Sequence, residues 1–145
     1  MYLDIRPLKY LSCAGLIPCS LFFVLKWVSM DIQKLPFSKF IVKNGFIFTS
    51  GQVHLNHDGT RLEGSIEDKS HRVMKNLESV LKEAGISFKD VIKTTIYVTD
   101  MSEYAKINEV YASYMSEPYP ARESVCVKEL PLGADIEISM IAAKP

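Results

Sequence analysis

From about residue 40 onward, short apolar runs bounded by turn residues alternate with longer amphipathic stretches. Phe40-Ile41-Val42-Lys43 and Phe46-Ile47-Phe48-Thr49 are rich in β-formers and flank Asn44-Gly45. Asn-Gly between two such runs predicts a tight hairpin, because both turn residues must accept positive φ. A polar loop follows, Asn56-His57-Asp58-Gly59-Thr60. Ser65 then caps a helix, with Asp68 three residues on beside the positive helix end. Ile66, Ser70, Val73, Leu77, Val80, Leu81 and Ala84 fall on one face of it, and Gly85 ends it. Residues 91–98 (VIKTTIYV) are dense in β-branched side chains and predict a strand. Asp100 or Ser102 starts a second helix, with the stripe Tyr104, Ile107, Val110/Tyr111 and Tyr114, and Pro118 and Pro120 terminate it. A short strand over 124–128, a turn at Leu130-Pro131-Leu132-Gly133 and a last strand over 136–143 complete the chain. The order is ββ-α-β-α-ββ, with room for an extra short strand near Leu62.

This pattern predicts an α+β layer, with a mixed, mostly antiparallel sheet and two helices on one face. The other face then needs water, a ligand or another subunit. Strands as apolar as Phe46-Ile47-Phe48 and Ile138-Ser139-Met140-Ile141 point to a partner subunit, so an oligomer is expected.

Residues 1–29 do not fit this domain. Nineteen of them are apolar, and Arg6, Lys9 and Lys26 against Asp4 give them a charge of +2. The run Leu16 to Leu25 matches the h-region of a signal peptide, but no small-x-small cleavage site follows it. As a membrane span the longer run Leu11 to Val28 is broken by Pro18 and Lys26. Three readings stand: a targeting or anchor segment, an upstream extension of the gene model with Met30 as the start, or a packed helix. The domain is therefore 30–145, and its compartment is cytoplasmic unless residues 1–29 direct it to a mitochondrion or a membrane.

Composition now sharpens the domain. The chain of 145 residues has net charge zero and is 48% apolar, enough for a real core. With the leader removed, the domain holds 14 basic against 16 acidic residues, or −2. A dedicated nucleic-acid binder would carry a basic surplus, so no nucleic-acid partner is expected. Of three cysteines only Cys126 lies in the domain, which excludes an internal disulfide there.

No phosphate loop, dinucleotide fingerprint, nucleophile elbow or zincin motif occurs. His54 and His57 read as parts of a solvated loop beside Asp58, and His71 as a helix-surface residue. Cys126 reads as a small apolar residue in a strand. Neither a metal nor a cofactor is expected. Three features exceed what a plain core requires. Arg122, in Pro120-Ala121-Arg122-Glu123-Ser124, has the planar fork that matches a carboxylate. Glu137 stands among apolar neighbours in the last strand, facing either water or a cleft where it could handle protons. Gly51, in Thr49-Ser50-Gly51-Gln52, permits close backbone approach.

Taken together, these segments resemble the RidA/YjgF/YER057c family, the reactive-intermediate deaminases. The matching pieces run from Asn44-Gly45-Phe46-Ile47-Phe48-Thr49-Ser50-Gly51-Gln52 through the Gly64 to Gly85 helix and Val91 to Met101. They continue through Asn108-Glu109-Val110-Tyr111, Pro120 to Val125, Leu130 to Ala134 and Ile136-Glu137-Ile138. The likeness covers roughly residues 34–143.

The resemblance implies a chorismate-mutase-like fold and a homotrimer whose sheets pack inward as a barrel, with clefts between subunits. It implies hydrolysis of 2-enamino or 2-imino acids, such as 2-aminoacrylate, 2-iminopropanoate and 2-iminobutanoate, to 2-oxo acids and ammonia. By resemblance, Arg122 holds the substrate carboxylate and Glu137 serves the imine carbon and the attacking water. Gly51 meets the substrate through its backbone, and Asn108 lines the cleft. Phe37 replaces the family tyrosine and keeps the ring without the hydroxyl, while Ser124 replaces a frequent cysteine. The competing expectations are a non-catalytic binding trimer and an endoribonuclease or translation inhibitor.

Overall fold

The computed structural model describes residues 36–144. The expectations for residues 1–29 lie outside the described residues.

Strand β1 (Phe40–Lys43) turns through Asn44 and Gly45, both at positive φ (51° and 79°), into β2 (Phe46–Thr49). Their register runs from Phe40↔Thr49 to Lys43↔Phe46, the hairpin that Asn-Gly predicts. A two-residue strand β3 (Gln52–Val53) follows. Helix α1 (Ile66–Glu83) opens on a capping box: Ser65 Oγ accepts from the Asp68 N–H at 3.1 Å, and the Asp68 carboxylate accepts from the Ser65 N–H. Strand β4 (Val91–Val98), helix α2 (Tyr104–Tyr114), strand β5 (Ala121–Cys126) and strand β6 (Ile136–Ala143) complete the domain.

The sheet order is β1-β2-β6-β4-β5, with β3 also paired to β6. All pairings are antiparallel except β4 with β5. Side chains alternate strictly along β6, and along β4 from Thr94 onward, after a register shift between Val91 and Lys93. Thr94, Ile96 and Val98 on β4, and Ile136, Ile138, Met140 and Ala142 on β6, are buried beneath the helices. There they meet Val73, Met74, Leu77 and Leu81 of α1 and Ile107 and Tyr111 of α2. The opposite face carries no helix. On it the large apolar side chains Ile41, Phe46, Phe48 and Val125 stay 43–55% exposed.

Four details depart from the sequence expectations. The fifth strand begins at Ala121, not 124, because parallel pairing to β4 starts at Lys93↔Ala121. Arg122 therefore sits within a strand. The extra strand lies at Gln52–Val53, while near Leu62 there is only a single bridge, Leu55↔Arg61. Cys126 is exposed, since β5 is the sheet's edge strand. His54 is fully buried, because β3 draws it under the sheet and both of its ring nitrogens find backbone partners.

Candidate active site

Two clusters of candidate residues form, one on each face of the sheet. Arg122 pairs in register with Thr94, whose side chain is buried beneath the helices. Glu137 pairs with Tyr97, whose neighbours Ile96 and Val98 point to the helices, so Glu137 points the other way.

On the helix side, Arg122 lies against α2. Residues 104, 108 and 111 are spaced i, i+4, i+7 and share one face of that helix. Arg122 Nη1 donates to Asn108 Oδ1 at 2.8 Å. The guanidinium carbon stands 4.9 Å from the centre of the Tyr111 ring and 5.9 Å from that of Tyr104, both within cation–π range. Tyr111 is itself fixed, since its hydroxyl donates to Thr94 Oγ1 at 3.1 Å in the core. Burial pushes the Tyr111 phenol pKa up, so it keeps that proton. Tyr104 Oη and Ser124 Oγ share a hydrogen bond at 3.1 Å. Asn108 binds one guanidinium nitrogen, and Arg122 remains exposed. Among the described residues the other guanidinium N–H groups have no hydrogen-bond partner, and their planar fork has the shape that matches an anion with two oxygens.

On the bare side, Glu137 is half-buried, and burial pushes its carboxyl above the usual 4.5. Gly51 lies directly over it. A Cβ at Gly51 would overlap the Glu137 carboxylate and come within 2.9 Å of its Cγ. Here glycine makes room for a side chain of its own protomer. Ser50 Oγ donates to the Ser38 carbonyl at 2.6 Å, and the Ser50 N–H to the Lys39 carbonyl at 2.9 Å. These bonds fix the segment carrying Phe37, which is 61% exposed, beside the one carrying Gly51.

The structure thus gathers Asn108, Arg122 and Ser124 in one half, and Phe37, Gly51 and Glu137 in the other. Sequence reasoning had read Tyr104 and Tyr111 only as a helix stripe and had missed Thr94. Their i, i+7 spacing on the helix next to an arginine strand was the available signal. Among the described residues, no group of three His, Cys, Asp or Glu side chains is placed to hold a metal.

A family model described as endoribonuclease L-PSP matches residues 32–144. The chain belongs to this RidA/L-PSP family. Among RidA-family relatives, Reactive Intermediate Deaminase A, chloroplastic, from Arabidopsis thaliana is 40% identical over 108 residues, 74% of this chain and 58% of that one. Protein mmf1, mitochondrial, from Schizosaccharomyces pombe is 36% identical over 148 residues, 94% of this chain and 91% of that one. The crystal structure of RidA from a Psychrobacter species superposes with a TM-score of 0.72 at 32% identity, covering 76% of this chain and 89% of that one. The structure of Escherichia coli TdcF with bound serine gives 0.72 at 31% identity, covering 77% and 90%. The α+β layer with its mixed sheet and two helices is thus the RidA fold, and the chain falls in a family that includes a named reactive-intermediate deaminase.

Proposed function

We propose that the protein is a hydrolytic deaminase of small 2-imino and 2-enamino acids, working in clefts between the subunits of a homotrimer. The observation that carries this reading is the split site: an exposed arginine fork on one face of the sheet and a half-buried carboxylate on the other. One chain cannot bring Arg122 and Glu137 onto one substrate, whereas a second copy laid on the bare face can. A closed three-fold ring lets each subunit offer its arginine half to one neighbour and its glutamate half to the other. The exposed apolar side chains of the bare face supply the contact. Bound serine in the Escherichia coli relative supports a ligand with an α-carboxylate.

In this scheme Arg122 holds the carboxylate of an iminium acid, R–C(=NH2+)–COO−, with Asn108, Tyr104 and Tyr111 fixing the fork. Ser124 and Phe37 wall the cleft. The iminium carbon is already electrophilic, so the site need only place a water and move protons. Ionised Glu137 takes a proton from the attacking water as the C–O bond forms. It then returns that proton to the nitrogen of the tetrahedral adduct. As the C–N bond breaks, Glu137 takes the hydroxyl proton of the adduct, the C=O bond forms, and the 2-oxo acid and ammonia leave; ammonia then takes up that proton as ammonium. Burial raises the Glu137 pKa, which brings its proton affinity closer to that of the groups it serves.

A coupled assay tests this reading. A pyridoxal-phosphate-dependent dehydratase supplies 2-aminoacrylate, and the protein is expected to speed its decay to pyruvate. No acceleration over the spontaneous rate sinks the proposal. Gly51→Ala is expected to cut kcat at least about tenfold while KM stays within about twofold. It displaces Glu137 and leaves the carboxylate grip intact. A wild-type kcat in that variant removes Glu137 from the mechanism.

The family description favours ribonuclease action as a second reading. The domain's −2 charge opposes it, because phosphate contacts dominate nucleic-acid affinity. RNA cleavage that persists in Arg122→Ala after repurification would restore it.

Among the described residues no helix is long and apolar enough to cross a membrane. The alignment to the fission-yeast relative covers more of this chain than residues 30–145 alone supply. It supports residues 1–29 as a mitochondrial leader. The intact mass of the native protein decides this, since a mass retaining residues 1–29 speaks against cleavage on import.

A further inference from the structure

His54 directly follows β3 and is fully buried. Its Nδ1 lies 3.0 Å from the Leu62 carbonyl oxygen, and a carbonyl only accepts, so Nδ1 carries the proton. Its Nε2 accepts from the Asp135 N–H at 3.1 Å. One neutral tautomer therefore satisfies two backbone groups that are far apart in sequence. The chain around the ring is pinned as well. Asn76 of α1 donates to the carbonyls of Val53 and Leu55, at 3.1 and 3.0 Å, on either side of His54. The Leu62 N–H donates to the His54 carbonyl at 2.8 Å. The path to the glutamate is short: Val53 is the register partner of Glu137, and Asp135 precedes Glu137 by two residues.

We propose that His54 is a positioning residue whose neutral ring locks the start of β6 to the chain behind β3 and so holds Glu137 under Gly51. This rests on the role given above to Glu137. It also makes the lock sensitive to acid. A proton on Nε2 turns an acceptor into a donor facing the Asp135 N–H. The Asp135 carboxylate lies 3.5 Å from Nε2, outside good hydrogen-bond reach, and is held by Lys69 Nζ of α1 at 2.7 Å. Protonation therefore requires the start of β6 to move. Arg61, paired with Glu63 at 2.7 Å, adds further charge near the ring. Burial outweighs the attraction of Asp135 and holds His54 below 6.5. The unfolded chain then binds the extra proton more readily. The stabilisation is present above 6.5 and is lost as pH falls through the lower folded value.

The experiment compares wild type, His54→Gln and Asp135→Asn by 13C NMR of the Glu137 carboxyl and the His54 ring, by melting curves across pH, and by imine kinetics. His54→Gln, which cannot titrate, is expected to lower kcat about tenfold with KM within about twofold. Its Glu137 carboxyl titration moves back toward 4.5, and its melting temperature loses the part of the acid sensitivity that His54 supplies. Asp135→Asn removes the attraction for the ring proton and lowers the folded value further, so the acid loss still begins near 6.5 but deepens and extends to lower pH. A folded His54→Gln with wild-type kcat and an unmoved Glu137 signal overturns the proposal, as does a His54 ring that titrates near 6.5. If the wild-type protein turns over no imine, the deaminase reading fails by itself. The Glu137 signal then still decides the role of His54.

Discussion

Arg122→Ala is expected to lower kcat/KM for 2-iminopropanoate by about two to four orders of magnitude. Each hydrogen bond from the fork to a carboxylate contributes about 1.5–3 kcal/mol, and about 1.4 kcal/mol is a factor of ten. A substrate held through both oxygens loses two such bonds. Since the carboxylate is bound in both the ground and transition states, much of the loss appears in KM. A misplaced imine carbon takes the rest from kcat. Arg122→Lys keeps the charge but not the planar fork and recovers only part of the activity. Neither variant is expected to unfold. Arg122 is exposed, and Tyr111 remains anchored in the core through Thr94. The check is steady-state kinetics on imine generated in situ, with melting curves alongside. Retention of full activity in Arg122→Ala removes the arginine from the site.

Why Arg122 was legible, and its setting only partly so, follows from what each signal reports. The hairpin, the first helix and the last strand carry local chemistry: Asn44-Gly45, the Ser65–Asp68 box and the strict alternation of residues 136–143. Each formed as expected. The start of β5 carries no such signal. Ala121 and Arg122 become strand only because β4 lies parallel beside them, a long-range partner that local pattern cannot reveal. His54 failed for the same reason. Beside Asn56, His57 and Asp58 it looks solvated, yet its two partners are backbone groups at Leu62 and Asp135. The faces were equally hidden. In the sequence residue 122 stands before a strand and residue 137 within one, and only the register with Thr94 and Tyr97 sends them to opposite sides. Resemblance supplied the residue names, and register supplied the opposite faces on which the proposal of a second copy rests.

That separation leads to the sharpest test. Arg122→Ala and Glu137→Gln protomers, each inactive alone, are expected to regain activity when unfolded together and reassembled. In trimers formed at random from equal amounts, about one interface in four joins an intact Arg122 to an intact Glu137. About a quarter of wild-type activity should therefore return. Glu137→Gln is a sound partner for the experiment because its loss is not one of folding. Burial raises the Glu137 pKa, so the folded state binds the proton more readily than the unfolded chain. The protonated carboxyl is thus favoured by folding in acid, and that advantage is lost as pH rises through the folded value. Glutamine, neutral throughout, escapes the cost of burying a charge near neutrality. This variant should melt at or above the wild-type temperature while its kcat falls. A site built within one chain predicts no recovery at any mixing ratio, because every such site keeps its defect. Recovery near a quarter requires the two faces of the sheet to meet across subunits, with the arginine of one protomer and the glutamate of its neighbour closing on one imine.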